Sequence, residues 1–345
     1  MSILIGRLSK TLSIIRLKPF DTSTADGRSN ERLRRVFWTA LTSALAKGIN
    51  TIGVFITVPI TLAYLGTERY GLWMAITSLI AFLGFADLGL GNGVLNYISD
   101  STGKNDNQLP RKVIASSLLL LLGISLGLWI IFLIINPFIK WDIFFNISST
   151  IAIKEAGPAI TAFIICFLIN LPLSIIPRIQ MGYQEGYVNS IWQAISNFIG
   201  LAGLLIAVYY KVGLVWLVII ATGSPAIGNF LNGISLFLFQ RKWLIPKFSD
   251  IDIPLAKKIV GIGFFFLILQ ATNAINYSAD NVIIARVLGP EDVTAYAVPT
   301  KLFALIPTIL YMALAPLWPA YGEAIARGDT RWAKKTLIRT VILIF

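Results

Sequence analysis

Long apolar runs limit what this chain can fold into more than any other feature. Residues 36–63, 113–135 and 191–210 each hold 20 or more positions with almost no charge. As helices rising 1.5 Å per residue, they reach across the roughly 30 Å of hydrocarbon in a bilayer. In that solvent the backbone must satisfy its own hydrogen bonds, which leaves helices or closed barrels, and the alternation of a barrel strand is absent. With 56 % of 345 positions hydrophobic and 13 % charged, a water-soluble globule would lack the polar surface to cover itself. The fold expected is an all-α polytopic membrane protein.

Turn and charge breaks divide the apolar text into helices near 36–63, 70–98, 112–135, 155–181, 187–210, 213–239, 256–287 and 293–324, with a ninth starting near 333. Ahead of them, "MSILIGRLSKTLSIIRLKPF" mixes Ile and Leu with basic residues and lacks a cleavage site. It reads as a basic segment on the membrane surface, followed by a flexible polar linker, "DTSTADGRSN". With the N-terminus cytoplasmic, 21 of the 29 lysines and arginines fall in breaks on the cytoplasmic side. The opposite side receives 5: Arg69, Lys140, Lys154, Lys211 and Arg286. That asymmetry sets the orientation and explains the net charge of +12 by topology, with no nucleic-acid partner needed. The absence of histidine excludes imidazole metal sites, His-dependent triads and histidine proton relays. The lone Cys166, in "FIICFLI", excludes a disulfide framework, and no cofactor is expected.

One break is written twice. "YLGTERYGLW" (64–73) returns as "VLGPEDVTAY" (287–296), and "YISDSTGKNDNQLPRK" (97–112) is echoed by "YGEAIARGDTRWAKK" (321–335) at an offset of 224 positions. Six spans separate the copies, so both keep the same orientation. This is the pattern of two six-helix bundles related by an axis along the membrane normal, a plan that transporters use to hold substrate between the halves. It divides the chain into a basic tail (1–35), a six-helix lobe (36–242) and a second lobe (243–345). The second lobe stops at "RTVILIF" and is expected to be a truncated copy.

"LAYLGTERYGLWMAITSLIAFLGFADLGLGNGVLNYIS" (62–99) and "SADNVIIARVLGPEDVTAYAVPTKLFALIPTI" (278–309) resemble the first hairpin and the seventh and eighth helices of the bacterial polysaccharide transporters. These are the lipid-linked oligosaccharide flippases of the superfamily that also contains the multidrug and toxin extruders. The resemblance covers nearly all of 36–345. It implies a V-shaped pair of six-helix lobes in the cytoplasmic membrane of a bacterium, working by alternating access. Its cargo would be a polyprenyl-pyrophosphate-linked sugar, handled beside membrane lipids and polysaccharide assembly proteins.

Ionisable groups at bilayer depth are expensive, so each is a candidate site residue. Lys47 in the first helix and Asp87 in the second both lie roughly 16 Å from the cytoplasmic ends. Either they pair and hold the hairpin in register, or Lys47 faces a cavity and meets substrate pyrophosphate, with Asn50 one turn on. Asp280 and Lys301 offer a second pairing, and Gln270, Asn273, Tyr277 and Asp280 form a polar stripe on helix 7. Lys301 is a further substrate candidate, and Asp87 or Asp280 a candidate to carry a coupling proton. Arg178 follows Pro177 where Pro172 and Pro177 kink helix 4. It either greets a phosphate with its fork of donors or snorkels to the interface. Gly84, Gly89, Gly91 and Gly93 provide close packing or a break in helix 2. A drug extruder, a membrane glycosyltransferase and an inactive truncated chain stay open as alternatives to the flippase.

Overall fold

A computed structural model describes residues 16, 18–83, 86–104, 106–145, 147, 149–261, 263, 264, 267, 268, 310, 314 and 316–344. Among these the chain is helical, without strands. Helix α1 (Ala25–Leu83) begins well before the expected first span, so "DTSTADGRSN" is only partly a linker. The cause is local. Thr24 Oγ1 accepts the Gly27 amide, capping the first turn, and Glu31 binds Arg34 and Arg35 three and four residues on. α1 is broken once, at Gly66, whose φ of 73° and ψ of 173° are open almost only to glycine. This is the elbow in "YLGTERYGLW".

The expected second helix is also interrupted. Residues 86–89 form a turn in which Leu88 and Gly89 take φ of 50° and 73°, and α2 (Leu90–Lys104) continues beyond it. There follow α3 (Leu109–Ile135), α4 (Thr150–Leu173), α5 (Ile175–Gly182), α6 (Gly186–Tyr209) and α7 (Leu214–Ile234). α4 and α5 are one span bent at Ser174, between the two prolines. Residues 253–261 are helical, and α8 (Leu317–Ala326) and α9 (Thr330–Ile344) end the described chain. Among the described residues five segments are long and apolar enough to cross a membrane: Asp26–Gly66, Leu109–Phe138, Thr150–Gly182, Gly186–Tyr209 and Leu214–Gln240. Leu122, Leu126, Leu133 and Ile134 of α3 stand exposed, as lipid-facing side chains do.

The connections gather at two ends, as the charge partition required. At the elbow end the Tyr64 hydroxyl donates to the Val212 carbonyl (2.7 Å), and Arg69 forks onto Glu155 at 2.7 and 2.8 Å. Glu155 also accepts the Leu214 amide, and Glu68 accepts that of Ser149. At the other end Arg35 donates to the Tyr183 carbonyl, and Arg241 forks onto Glu185. Arg111 and Lys112 there pair with Asp250 and Asp252. Asp252 caps the helix that follows, and the Leu255 amide it accepts holds its carboxyl below the usual carboxylate range.

Among the described residues two larger apolar cores lie along the bundle, with a small third cluster at Ala320, Ala324 and Trp332. Leu72, Ile76, Ile160, Phe163, Leu214 and Leu217 belong to one, and Val94, Ile98, Val113, Ile114, Ile175 and Ile179 to the other. Small residues set the closest helix approaches: a Cβ on Gly228 of α7 would fall 1.6 Å from Ser196 Oγ of α6.

The echoed segments 97–104 and 321–328 pack against each other. Ser99 donates to the Pro319 carbonyl (2.6 Å), and Trp318 Nε1 to Asn96 Oδ1 (3.0 Å). A Cβ on Gly103 would lie 2.3 Å from that of Ala326, and Arg327 donates to the Thr102 carbonyl at 3.0 Å. Shifting 102 and 103 by the repeat offset gives 326 and 327, so the contacts 103–326 and 102–327 exchange with one another. A two-fold axis between parallel repeats requires such reciprocal pairs.

Candidate binding cavity

A cavity of about 460 Å³ opens inside the bundle, within the size range of small-molecule sites. α1 contributes Thr39 and Ser43, the turn at 86–89 contributes Asp87, and the bent α4–α5 span contributes Asn170, Ser174 and Arg178. α6 adds Asn189, Ser190, Gln193, Ser196 and Asn197, and α7 adds Asn229. The α6 residues recur at helical spacing, so they share one face. Such a face would be costly against lipid and is satisfied against other polar groups.

The wall is cross-linked. Ser43 and Ser190 share a hydrogen bond of 2.8 Å, Asn229 donates to Asn170 (2.9 Å), and the Asn197 amide reaches the Ala46 carbonyl (3.4 Å). Beside the cavity, Gln180 and Asn232 exchange two amide bonds, of 2.6 and 3.0 Å, with neither residue exposed. These pairs rigidify the wall while leaving carboxamide and hydroxyl capacity for an occupant.

Arg178 lines this cavity. The bend at Ser174, whose amide still reaches the Asn170 carbonyl at 2.9 Å, turns α5 so that Arg178 Nη1 donates to Asn92 Oδ1 at 3.0 Å. Gly91 makes room for it, since a Cβ there would lie 3.0 Å from Arg178 Nε and 3.2 Å from Asp87 Oδ2. The glycine run therefore serves both uses read from it: a break at 86–89 and close approach at Gly91. Asp87 caps the break by accepting the Gly89 amide (2.9 Å). Among the described residues the cavity thus holds one carboxylate and one guanidinium beside neutral polar groups.

Lys47 and Asp87 are not brought together. Lys47 and Asn50 lie on a stretch of α1, between Ala46 and Thr61, with few buried positions, and both are exposed and outside the cavity wall. Equal counts from the helix ends suggested a pairing, but Asp87 sits in the break at 86–89 and lines the cavity, while Lys47 is exposed on α1 outside its wall. Asp280 and Lys301, the stripe from Gln270 to Asp280, and Arg286 lie outside the described residues. The carboxamides at Asn170, Asn189, Gln193, Asn197 and Asn229 carry no charge, so the cost of an ionisable group at bilayer depth does not mark them in the sequence. The spacing of polar residues along α6 was the available signal. Among the described residues no three His, Cys, Asp or Glu side chains cluster as metal ligands would.

Comparison with known proteins adds to this geometry. The sequence model of a family described as "Polysaccharide biosynthesis protein" matches residues 34–324. A putative O-antigen export protein of Yersinia pseudotuberculosis is 24 % identical over 313 residues, covering 82 % of this chain and 65 % of its own. A putative O-antigen transporter of Salmonella typhimurium is 23 % identical over 277 residues, covering 79 % of this chain and 61 % of its own. The chain therefore spans somewhat under two thirds of the length of these relatives. A multidrug resistance MATE family transporter of the MOP superfamily, solved in an outward-facing conformation, shares the fold. Its TM-score is 0.74 at 14 % identity, over 90 % of this chain and 68 % of that one.

Proposed function

The chain belongs to the polysaccharide biosynthesis protein family, and on that premise we propose that it carries a lipid-linked saccharide across the cytoplasmic membrane by alternating access. The observation that carries this reading is the cavity of carboxamides and hydroxyls inside a bundle whose outer helices present Leu and Ile to lipid. Carboxamides both donate and accept, which suits sugar hydroxyls. Desolvating those hydroxyls in an apolar cavity would leave them unpaired at about 1–3 kcal/mol each. Arg178 supplies a planar fork of donors for a phosphate oxygen, with Asn92 holding its orientation. Lys47, exposed on the loosely packed stretch of α1, favours a hydrated space beside the path in this reading, since an ammonium facing hydrocarbon would be costly. The polyprenyl chain stays in lipid, along the apolar outer faces. The names of the two relatives, an O-antigen export protein and an O-antigen transporter, agree with such a cargo.

The test is translocation in proteoliposomes. A polyprenyl-pyrophosphate saccharide is placed in one leaflet, and its arrival in the other is read by a lectin or a glycosidase. Arg178→Gln and the pair Asn189→Ala with Gln193→Ala should each slow it about tenfold or more, while Tyr209→Phe, on an exposed side chain, leaves it unchanged. No translocation by the parent protein, or equal rates in all variants, would refute the reading.

A further inference from the structure

A second polar region lies at the opposite end of α1 from the elbow, where the two echoed segments meet. Two adjoining hollows of about 420 and 360 Å³ share Arg28, Arg32 and Arg327 on their walls. Arg32 is only 2 % exposed. Its Nη1 donates to Asp329 at 2.9 Å, but Nη2 stands 3.7 Å from Glu323, beyond hydrogen-bond reach, and among the described residues neither Nη2 nor Nε has an acceptor. A buried guanidinium with two idle donor nitrogens is costly unless something supplies acceptors. Arg28, half-buried on the same wall, donates to the backbone carbonyls of Thr22 and Ser23 and, among the described residues, has no carboxylate partner. Arg35 also borders the larger hollow.

The acids nearby offset only part of this charge: Asp329 pairs with Arg32, Glu323 serves Arg327 and the Gln184 amide while standing 3.7 Å from Arg32, and Glu31 serves Arg34 and Arg35, so the walls set four arginines against three carboxylates. What fits the remaining donors is an anion with several oxygens, and a phosphate matches the arginine fork. Each hollow is larger than a bare phosphate, which leaves room for the group that a phosphate is attached to.

We propose that these hollows are a phosphate site, taking either the phosphate of an anionic lipid headgroup or a free phosphate ion. Arg28 and Arg32 come from α1, and Arg327 from the turn after α8. The occupant therefore ties the first repeat to the second at the seam where α2 meets α8, and favours the seam closed. The site is separate from the cavity and does not depend on what cargo the cavity takes.

The test uses the full chain in phosphatidylcholine nanodiscs in phosphate-free chloride buffer. One arm is titrated with inorganic phosphate, and the other uses nanodiscs of rising phosphatidylglycerol content. The unfolding temperature should rise saturably in at least one arm. Response to phosphatidylglycerol alone identifies a headgroup, and response to both identifies the phosphate group itself. Arg32→Gln and Arg28→Gln should raise the half-saturating concentration about tenfold or more. Arg32 is buried and its variant risks misfolding. Arg28→Gln removes contacts to two backbone carbonyls only and keeps the test decisive. Lys242→Gln, an exposed cation at the same end, should leave half-saturation unchanged. No saturable rise in either arm, an unchanged Arg28→Gln, or an equal effect of Lys242→Gln would overturn the site.

Discussion

Replacing Gly103 with alanine places one methyl group where α2 and α8 touch. The new Cβ would sit 2.3 Å from the Ala326 Cβ and 3.0 Å from the Glu323 carbonyl oxygen, against 3.4–4 Å for ordinary contact. Neither neighbour is the free end of a long side chain, so the helices must part by more than an ångström. Overpacking of this kind costs about 1–3 kcal/mol, charged only to the state in which the seam is closed. Alanine's better helix propensity acts on closed and open states alike and leaves their ratio untouched. The fraction of molecules with the seam open should therefore rise about 5- to 150-fold. Ser99, 1 % exposed and bonded to the Pro319 carbonyl, reports the opening once changed to cysteine in a Cys166→Ala background. The rate of alkylation by a membrane-impermeant maleimide, applied from the side that bears the N-terminus, follows the open fraction. Gly48→Ala is the control, because a Cβ there meets nothing within 4 Å. Equal alkylation rates in Gly103→Ala, Gly48→Ala and the parent, with all three monodisperse, would show that the seam does not need this close approach.

Three further outcomes follow from the packing. Gly66→Ala puts a side chain on a backbone of φ 73° and ψ 173° and should lower stability by about 1–3 kcal/mol, read as a drop in unfolding midpoint; an unchanged midpoint means the elbow relaxes freely. Asn232→Leu strands the buried Gln180 amide and should cost about 1–3 kcal/mol. Gln180→Leu added to it should recover part of the loss, and a further additive loss would contradict the reciprocal pairing. Arg69→Ala removes a fork onto Glu155 between side chains 18 % and 17 % exposed and should cost about 1.5–3 kcal/mol. Lys104→Ala, from a pair 60 % and 41 % exposed, should cost under about 1 kcal/mol, and the reverse order in unfolding midpoints would discredit the burial reasoning.

The sequence by itself determined what depends on length, local backbone and the order of charges along the chain. Run length anticipated five described segments long and apolar enough to cross a membrane, because hydrocarbon thickness sets how many residues a helix needs, though not the break in the expected second span. Gly66 marked the elbow because few other residues adopt its backbone, and the scatter of basic residues sorted the loops into the two ends the structure shows. The 224-residue offset maps the close approach of 103 to 326 onto the contact of 102 with 327, as two parallel repeats would require. Even the early start of α1 was legible, in the cap at Thr24, though the polar composition around it suggested a linker.

Tertiary structure decided azimuth. Depth along a helix can be counted, but the direction a side chain faces depends on how neighbouring helices lock together. Here that locking rests on contacts such as Gly91 against Arg178 and Gly228 against Ser196. Lys47 and Asp87, counted to one depth along their expected helices, do not pair, while Arg178 and Asp87 flank one glycine. The five carboxamides of the cavity come from α4, α6 and α7, so no single stretch of sequence displays them together. Polar residues on separate helices become one site only when packing turns their faces toward a common space, because in lipid each must find its partner inside the protein.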